Sequence, residues 1–273
     1  MRPACPLWRR EMVLKIARNS NLRSLLMPRL ELTIPTSDGT CPASLFTPAT
    51  GAGPWPGVIF FMDGLGIRPV MWEMGQRLAD AGYAVLLPDG YYRQGPYAPL
   101  HPPEVLADPD AITALMDRVN SLTRARKVSD TAAYIECLSA RPEVKGKTYG
   151  ATGYCMGGHA ALTAAGALPE HFAAAASFHG GFLAVDQPDS PHNFAKAITA
   201  RIYVAGAIED PSFPDYQKAK LEEALTEAGV EHVVETYAGA QHGFAVRDVP
   251  VFNPEAAERH WAELLKLFSE TLK

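Results

Sequence analysis

Residues 148–162 read T-Y-G-A-T-G-Y-C-M-G-G-H-A-A-L, and the rest of the chain is organised around this stretch. A strand-like run ends and a helix-like run begins on the two sides of Cys155. Gly153 and Gly157 flank the cysteine in the pattern G-x-C-x-G, which is a nucleophile-elbow pattern with sulfur in place of the serine hydroxyl. Glycine suits such a turn because its apex is strained and neighbouring backbone comes close. The stretch therefore predicts a sharp strand-to-helix turn with cysteine at its apex.

Cys155 has two interpretations on this segment alone. It is a reactive thiol at the elbow, or it is a buried structural cysteine beside a glycine-rich turn, since free cysteine is among the most buried residue types. Both interpretations stay open until other parts of the chain are considered.

The composition bounds the class of protein. A chain of 273 residues with 47% hydrophobic and 20% charged residues is long enough for one large globular domain. No apolar run approaches the roughly 18 residues of a membrane helix, and a net charge of -5 does not suggest a nucleic-acid partner. The four cysteines are scattered without a C-x-x-C pair, which indicates neither a zinc site nor a disulfide framework. We expect a cytoplasmic protein that is a monomer or a small homo-oligomer.

Residues 1–26 differ from the remainder because they are rich in basic residues and contain one acidic residue, Glu11. This composition is typical of a transit peptide, or of an unpacked extension that precedes a start at Met27. We expect 1–26 to lie outside the fold and 27–273 to form a single α/β domain.

Alternating apolar runs predict the elements of this domain. Strands are expected in a hairpin over 30–46 and at 58–62, 83–87, 148–153, 174–178, 201–205 and 233–237. Helices are expected at 70–81, 110–126, 129–138, 215–228 and after Asn253. Strands that alternate with helices predict a mostly parallel sheet covered on both faces, with the antiparallel hairpin at its N-terminal edge.

Four polar residues follow predicted strands: Asp63, Cys155, Asp210 and His242. The carboxyl ends of parallel strands meet at one edge of a sheet, which is where ligands bind. Each residue alone is a weak signal, because an aspartate before proline often caps a turn. The order of Cys155, Asp210 and His242 is nevertheless the nucleophile, acid and histidine order of α/β hydrolases.

The sequence resembles the dienelactone hydrolases, a family with the α/β-hydrolase fold. The resemblance covers about residues 28–273 and is carried by four segments: 153–158, 88–93, the loop around Asp210, and 240–244. It implies that Cys155 is the nucleophile, that His242 is its base, and that Asp210 orients the imidazole. It also implies hydrolysis of an ester or lactone through a thioester. No metal or nucleotide motif appears in the sequence, so we expect no cofactor and no metal.

Attack of a thiol on a carbonyl creates an oxyanion that needs two N–H donors. We expect these donors to be the backbone amides of Met156 and Gly64. At the position of Asp63, the family has an acid that pairs with the resting cysteine, but there it is glutamate. Because aspartate is one methylene shorter, the alternative for Asp63 is a turn or cap role.

In the family that the sequence resembles, arginines near the site bind the carboxylate of the substrate. Arg93 falls on one such position, while Val246 occupies the second and Arg247 lies one residue later. Tyr92, beside Arg93, and His179, which follows a predicted strand, are further candidate substrate contacts. For His179 the alternative is a structural hydrogen bond. The predicted function is hydrolysis of a small carboxylic ester or lactone, and a dienelactone-type substrate is one candidate. The alternative function is that of a non-catalytic protein that binds or senses a small ligand on the same fold.

Overall fold

The computed structural model describes residues 29–273, and the predicted extension 1–26 lies outside the described residues. Eight strands form one sheet in the order β1-β2-β4-β3-β5-β6-β7-β8. The strands are β1 (Arg29–Thr36), β2 (Gly39–Phe46), β3 (Trp55–Phe61), β4 (Ala84–Pro88), β5 (Val144–Tyr154), β6 (Phe172–Phe178), β7 (Arg201–Ala207) and β8 (His232–Tyr237).

The part of the chain that the structure describes contains seven α-helices, of which the last follows β8. They are α1 (Pro69–Asp80), α2 (Pro102–Ala107), α3 (Pro109–Ser121), α4 (Arg124–Ser139), α5 (Met156–Ala167), α6 (Asp215–Glu227) and α7 (Pro254–Thr271). Within 29–273, none of the helices is long and apolar enough to cross a membrane.

The sheet is parallel from β4 and β3 through β8, while the β1–β2 hairpin pairs antiparallel with β4. Its strands have apolar side chains on both faces, as expected where helices cover a sheet on two sides. Along β3, for example, Val58 and Phe60 join one core cluster and Ile59 and Phe61 join the other. The predicted fold class is confirmed.

Helices α1 and α7 cover the first face, and α4, α5 and α6 cover the second. The small residues of α5 let it lie directly on the sheet: Ala161, Ala164 and Ala165 are almost fully buried. This close packing holds the amino end of α5 against the carboxyl end of β5, where Cys155 lies.

The segment between β4 and β5 differs from the prediction. A single helix over 110–126 was expected, but α3 ends at Ser121 and α4 begins at Arg124. The break occurs because Thr123 caps α4, its hydroxyl oxygen accepting the Arg126 amide at 3.4 Å. Ser129, at which the next predicted helix begins, lies inside α4 and contacts the Ser37 hydroxyl at 3.0 Å.

Candidate active site

Cys155 lies at the apex of the turn between β5 and α5 with φ 54° and ψ -119°. A positive φ of this kind is strained for a residue with a side chain. A Cβ on Gly153 would lie 2.0 Å from the Gly157 carbonyl oxygen, and one on Gly157 would lie 2.3 Å from the Phe61 carbonyl oxygen. Both glycines are therefore sterically required, and the turn predicted from G-x-C-x-G is the turn observed.

Asp210 and His242 follow β7 and β8 and meet beside Cys155. His242 Nδ1 donates to Asp210 Oδ2 at 2.7 Å, and Asp210 is only 3% exposed. Ser212 donates to the other carboxylate oxygen through its hydroxyl at 2.6 Å and its amide at 2.9 Å. Burial alone would raise the pKa of Asp210, but the hydrogen bonds from His242 and Ser212 lower it. The carboxylate is thus held ionised with its second oxygen aimed at the imidazole.

His242 joins Asp210 to Cys155. Burial alone would lower the pKa of His242, but the charge of Cys155, the hydrogen bonds to Asp210 and Cys155, and the charge of Asp210 together raise it to about 10. Negative charge on two sides of one ring stabilises its protonated form. The structure therefore brings together the three residues whose order was noticed in the sequence.

The two amides expected as oxyanion donors lie near the elbow. Met156 is the first residue of α5, where backbone N–H groups have no partner within the helix. Gly64 follows β3 directly, and a Cβ added there would lie 3.3 Å from Val119 of α3. Tyr91, which is 1% exposed, donates from its hydroxyl to the Gly64 carbonyl at 2.7 Å and contacts Met156 Sδ at 3.3 Å. One buried phenol thus fixes both segments.

Asp63 forms a buried ion pair. Its two oxygens accept from Arg68 Nη1 and Nη2 at 2.7 and 2.8 Å, and one of them also accepts the Leu65 amide at 3.0 Å. Arg68 binds Asp248 on its other side, through Nε at 2.8 Å. The expected pairing of Asp63 with the resting Cys155 is not what these contacts show, because the guanidinium occupies both oxygens. Asp63 instead has the alternative role, in a turn, where it accepts the Leu65 amide. Arg68, which was not identified from the sequence, also binds it there.

Arg93 and Tyr92 are engaged inside the protein. Arg93 binds both oxygens of Asp130 at 2.7 Å and Asp38 at 2.7 Å. The Tyr92 hydroxyl donates to Asp130 at 2.9 Å and contacts Thr36 at 2.7 Å. The structure therefore contradicts the expectation that Arg93 and Tyr92 contact the substrate, because their polar atoms bind other residues of the protein.

Arg247, the other arginine suggested as a substrate contact, is exposed and pairs with Glu73. Val246, its neighbour, is fully buried. Arg247, which was expected to contact the substrate, thus forms a surface ion pair instead.

His179 is 1% exposed and lies beneath His242, with ring centroids 5.2 Å apart. Phe244 packs on its other side at 5.1 Å. Burial lowers the pKa of His179 well below its usual value, so the ring is neutral. Neither ring nitrogen bonds to a residue within 29–273, so the contact is one of ring packing rather than the structural hydrogen bond given as the alternative.

No cluster of three or more potential metal ligands lies within residues 29–273. Three residues that hold parts of the candidate site in place were not predicted from the sequence: Ser212, Tyr91 and Arg68. Asp-x-Ser spacing was a usable signal for Ser212, because an aspartate commonly accepts the amide two residues on.

The sheet order and the strained strand-to-helix turn are those of an α/β hydrolase. The sequence model of the dienelactone hydrolase family matches residues 41–272, and the chain belongs to that family of hydrolases. The family predicted from the sequence is confirmed.

Named relatives agree with this assignment. A Synechocystis sp. protein inferred to be a carboxymethylenebutenolidase is 30% identical over 246 residues, 89% of this chain and 96% of its own. The carboxymethylenebutenolidase of Rhodococcus opacus is 26% identical over 241 residues, 86% of this chain and 88% of its own. Among solved structures, a dienelactone hydrolase-like promiscuous phosphotriesterase from metagenomic libraries has 25% identity and a TM-score of 0.72, covering 90% of this chain and 99% of that one.

Proposed function

We propose that the protein hydrolyses a small carboxylic ester or lactone with Cys155 as nucleophile, His242 as base and acid, and Asp210 as the residue that orients the imidazole. The observation that carries the proposal is the 2.7 Å hydrogen bond between His242 and buried Asp210, beside Cys155 at the apex of a strained elbow. A nucleophile, a base within hydrogen-bond reach and an orienting group are the parts that covalent catalysis needs.

In the first half of the reaction, the Cys155 thiolate attacks the carbonyl carbon and a C–S bond forms. The carbonyl oxygen becomes an oxyanion, for which the amides of Met156 and Gly64 are the proposed donors. As the C–O bond breaks, His242 gives its Nε2 proton to the departing oxygen, which leaves a thioester and an alcohol or enol.

In the second half, water attacks the thioester carbonyl while neutral His242 takes a proton from it. The C–S bond breaks, the carboxylic acid leaves, and the thiolate and imidazolium are restored. Asp210 keeps Nδ1 protonated throughout, so that Nε2 faces the reacting atoms. Ser212 supports this role by holding the carboxylate from behind.

The first substrate to test is a carboxymethylene-substituted butenolide, the class that the names of the relatives state. A phosphotriester is a useful second compound, because a structural neighbour is named for that activity.

The test compares wild type with Cys155→Ala and with Cys137→Ala, which removes a partly exposed thiol elsewhere. We expect Cys155→Ala to lower kcat/KM by about 10³-fold or more, since only binding and the oxyanion donors remain. Cys137→Ala should keep wild-type turnover. Full activity of Cys155→Ala would overturn the proposal, and tight lactone binding without turnover by wild type would favour the non-catalytic alternative.

A further inference from the structure

His179 is a buried polar residue beside the proposed base, and the proposed reaction gives it no role. It follows β6, the strand that lies between β5 and β7 in the sheet. Its amide donates to the Ala205 carbonyl of β7 at 2.8 Å, and the carbonyl of Phe178 accepts the Cys155 amide at 3.1 Å. The backbone that carries His179 is thus tied both to the elbow and to the strand that precedes Asp210.

The ring of His179 packs between the strand of the nucleophile and the segment that carries the base. Its centroid lies 5.9 Å from that of Tyr154, the residue before Cys155, and 5.2 Å from that of His242. The planes of His179 and His242 cross at 64°, and Phe244 packs on the His179 ring at 78°. Aromatic rings attract one another in edge-to-face arrangements of this kind. His242 therefore packs against a ring that Phe244 also contacts.

The hydrogen bond to Asp210 does not by itself set the tilt of the His242 ring. The last torsion of a histidine side chain has a broad energy profile, so a ring that is bonded at one atom can still turn. The His242 side chain is 30% exposed, which leaves part of its surface unpacked. His179, which is 1% exposed, packs against its ring from inside the protein. This packing is a second restraint on the imidazole.

The ring of His179 is neutral, so it does not repel the imidazolium form of His242. Burial lowers the pKa of His179 well below its usual value, and positive charge on His242 lowers it further. The other titratable groups around it are His260, whose pKa burial lowers to about 3, Tyr154, whose pKa burial raises, and Asp210, whose charge acts in the opposite direction. Neither ring nitrogen has a hydrogen-bond partner among the described residues. The contact with His242 therefore acts through ring packing.

The backbone explains why this aromatic residue is a histidine. His179 has a φ of 39°, a conformation that strains most residues with a side chain. Histidine is found at positive φ several times more often than most other residues except glycine. Phenylalanine would present a ring at the same place with greater backbone strain.

We propose that His179 is a positioning residue for the base: its ring holds the His242 imidazole at the tilt at which Nδ1 meets Asp210 and Nε2 faces Cys155. This inference rests on the proposed function and adds to it a buried residue that acts through His242. A catalytic group displaced by about 1 Å can lose about 100-fold in rate, so a ring that sets the position of the base affects kcat.

The test compares His179→Leu with His179→Phe, which place a bulky apolar side chain at the same positive φ. Backbone strain and the loss of the imidazole nitrogens are common to the two variants, so they differ in whether a ring packs against His242. Phe172→Leu is the matched control, because it removes a buried ring from the other end of β6. Thermal unfolding verifies that every variant is folded at the assay temperature.

We expect His179→Leu to lower kcat for the carboxymethylene butenolide about 10- to 100-fold and to change KM by less than about twofold. The alkaline limb of its pH–rate profile should move to lower pH, because a tilted His242 loses part of the contacts with Cys155 and Asp210 that raise its pKa to about 10. His179→Phe should keep kcat within about threefold of wild type and leave the limb in place, since its ring restores the edge-to-face contact. Phe172→Leu should lower Tm without moving kcat or the limb.

A second measurement needs no substrate. The Nδ1 proton of His242, in its hydrogen bond to Asp210, gives an NMR signal far downfield. This signal should be sharp in wild type and in His179→Phe, and broadened in His179→Leu, where the ring is free to tilt.

Wild-type kcat with an unmoved limb in folded His179→Leu would overturn the role of His179 and leave the hydrolase proposal intact. Equal losses in His179→Leu and His179→Phe would overturn it too, because the ring would then not be the part that acts. If wild type does not hydrolyse the lactone, the proposed function fails and the NMR signal decides alone. Broadening in His179→Leu then supports the positioning role, and an unchanged signal refutes it.

Discussion

The Arg68 ion pair predicts a large effect from a residue that does not touch the reacting atoms. Arg68 is 1% exposed and joins Asp63, which precedes the proposed oxyanion donor Gly64, to Asp248, six residues after His242. Replacement by methionine keeps much of the side-chain volume but removes every donor. The carboxylate of Asp63, itself 4% exposed, is then buried without a counter-ion.

The magnitude follows from that burial. Removing one partner of a buried ion pair costs about 3–5 kcal/mol, because the other charge is left uncompensated. For a domain of this size, about 2–4 °C per kcal/mol gives a fall in Tm on the order of 10 °C. The loop that carries Gly64 loses its anchor as well, and a displaced catalytic group can cost about 100-fold in rate. We therefore expect Arg68→Met to lower both stability and kcat.

Urea unfolding of Arg68→Met and of a matched control, Arg77→Met, measures the effect. Arg77 pairs with Glu258 at the surface, where an ion pair contributes about 1 kcal/mol or less. Adding Asp63→Asn to Arg68→Met should restore part of the lost stability, since a neutral amide replaces the stranded carboxylate. A loss below about 1 kcal/mol for Arg68→Met, at an unchanged denaturant slope, would refute the reasoning.

Three further predictions concern single residues. Gly157→Ala places a Cβ 2.3 Å from the Phe61 carbonyl oxygen, so thermal unfolding should show a loss of about 2–4 kcal/mol, and a wild-type Tm would contradict the steric argument. Asp210→Asn removes a charge and a hydrogen bond that raise the pKa of His242. The alkaline limb of the pH–rate profile should therefore move to lower pH, and kcat/KM should fall about 10- to 100-fold. A limb that stays at the wild-type pH would contradict this prediction. Arg93→Ala should lower Tm, because the Arg93 donors bind Asp130 and Asp38. It should leave unchanged the ratio of kcat/KM for the carboxymethylene butenolide to that for its uncharged primary amide. A selective loss of activity toward the carboxylate would show instead that Arg93 contacts the substrate.

The features that the sequence predicted well are those written in local patterns. Apolar runs of strand length identify β3 and β4, and the spacing of Gly153, Cys155 and Gly157 predicts the elbow, because steric demands at a tight turn act on adjacent residues. The order of Asp210 and His242 at strand ends is informative since parallel strands bring their carboxyl ends to one edge.

The features that it did not predict depend on contacts between distant segments. Arg68 meets Asp248 across 180 positions of sequence, and Tyr91 meets Met156 across 65. No local periodicity records such pairs. The predicted boundary between α3 and α4 was wrong for a different reason. The apolar residues keep helical spacing through residues 122–123, which predicts one continuous helix. The helix ends there nevertheless, because the Thr123 hydroxyl caps the start of α4.

The arginines show the same limit. The resemblance identifies Arg93 by its position after β4, but whether its guanidinium meets a substrate depends on Asp130, which comes from another helix. A position in a motif therefore predicted where the residue lies but not what it binds.

The central claim is that the acyl group passes through the sulfur of Cys155. Acid quenching of the wild-type protein during turnover of the lactone, followed by mass spectrometry of the peptides, tests this claim directly. We predict one added acyl group on the peptide that contains Cys155, removable by hydroxylamine, and none at Cys41, where burial raises the pKa to about 12. An acyl group on another residue, or wild-type turnover by Cys155→Ala, would contradict the account.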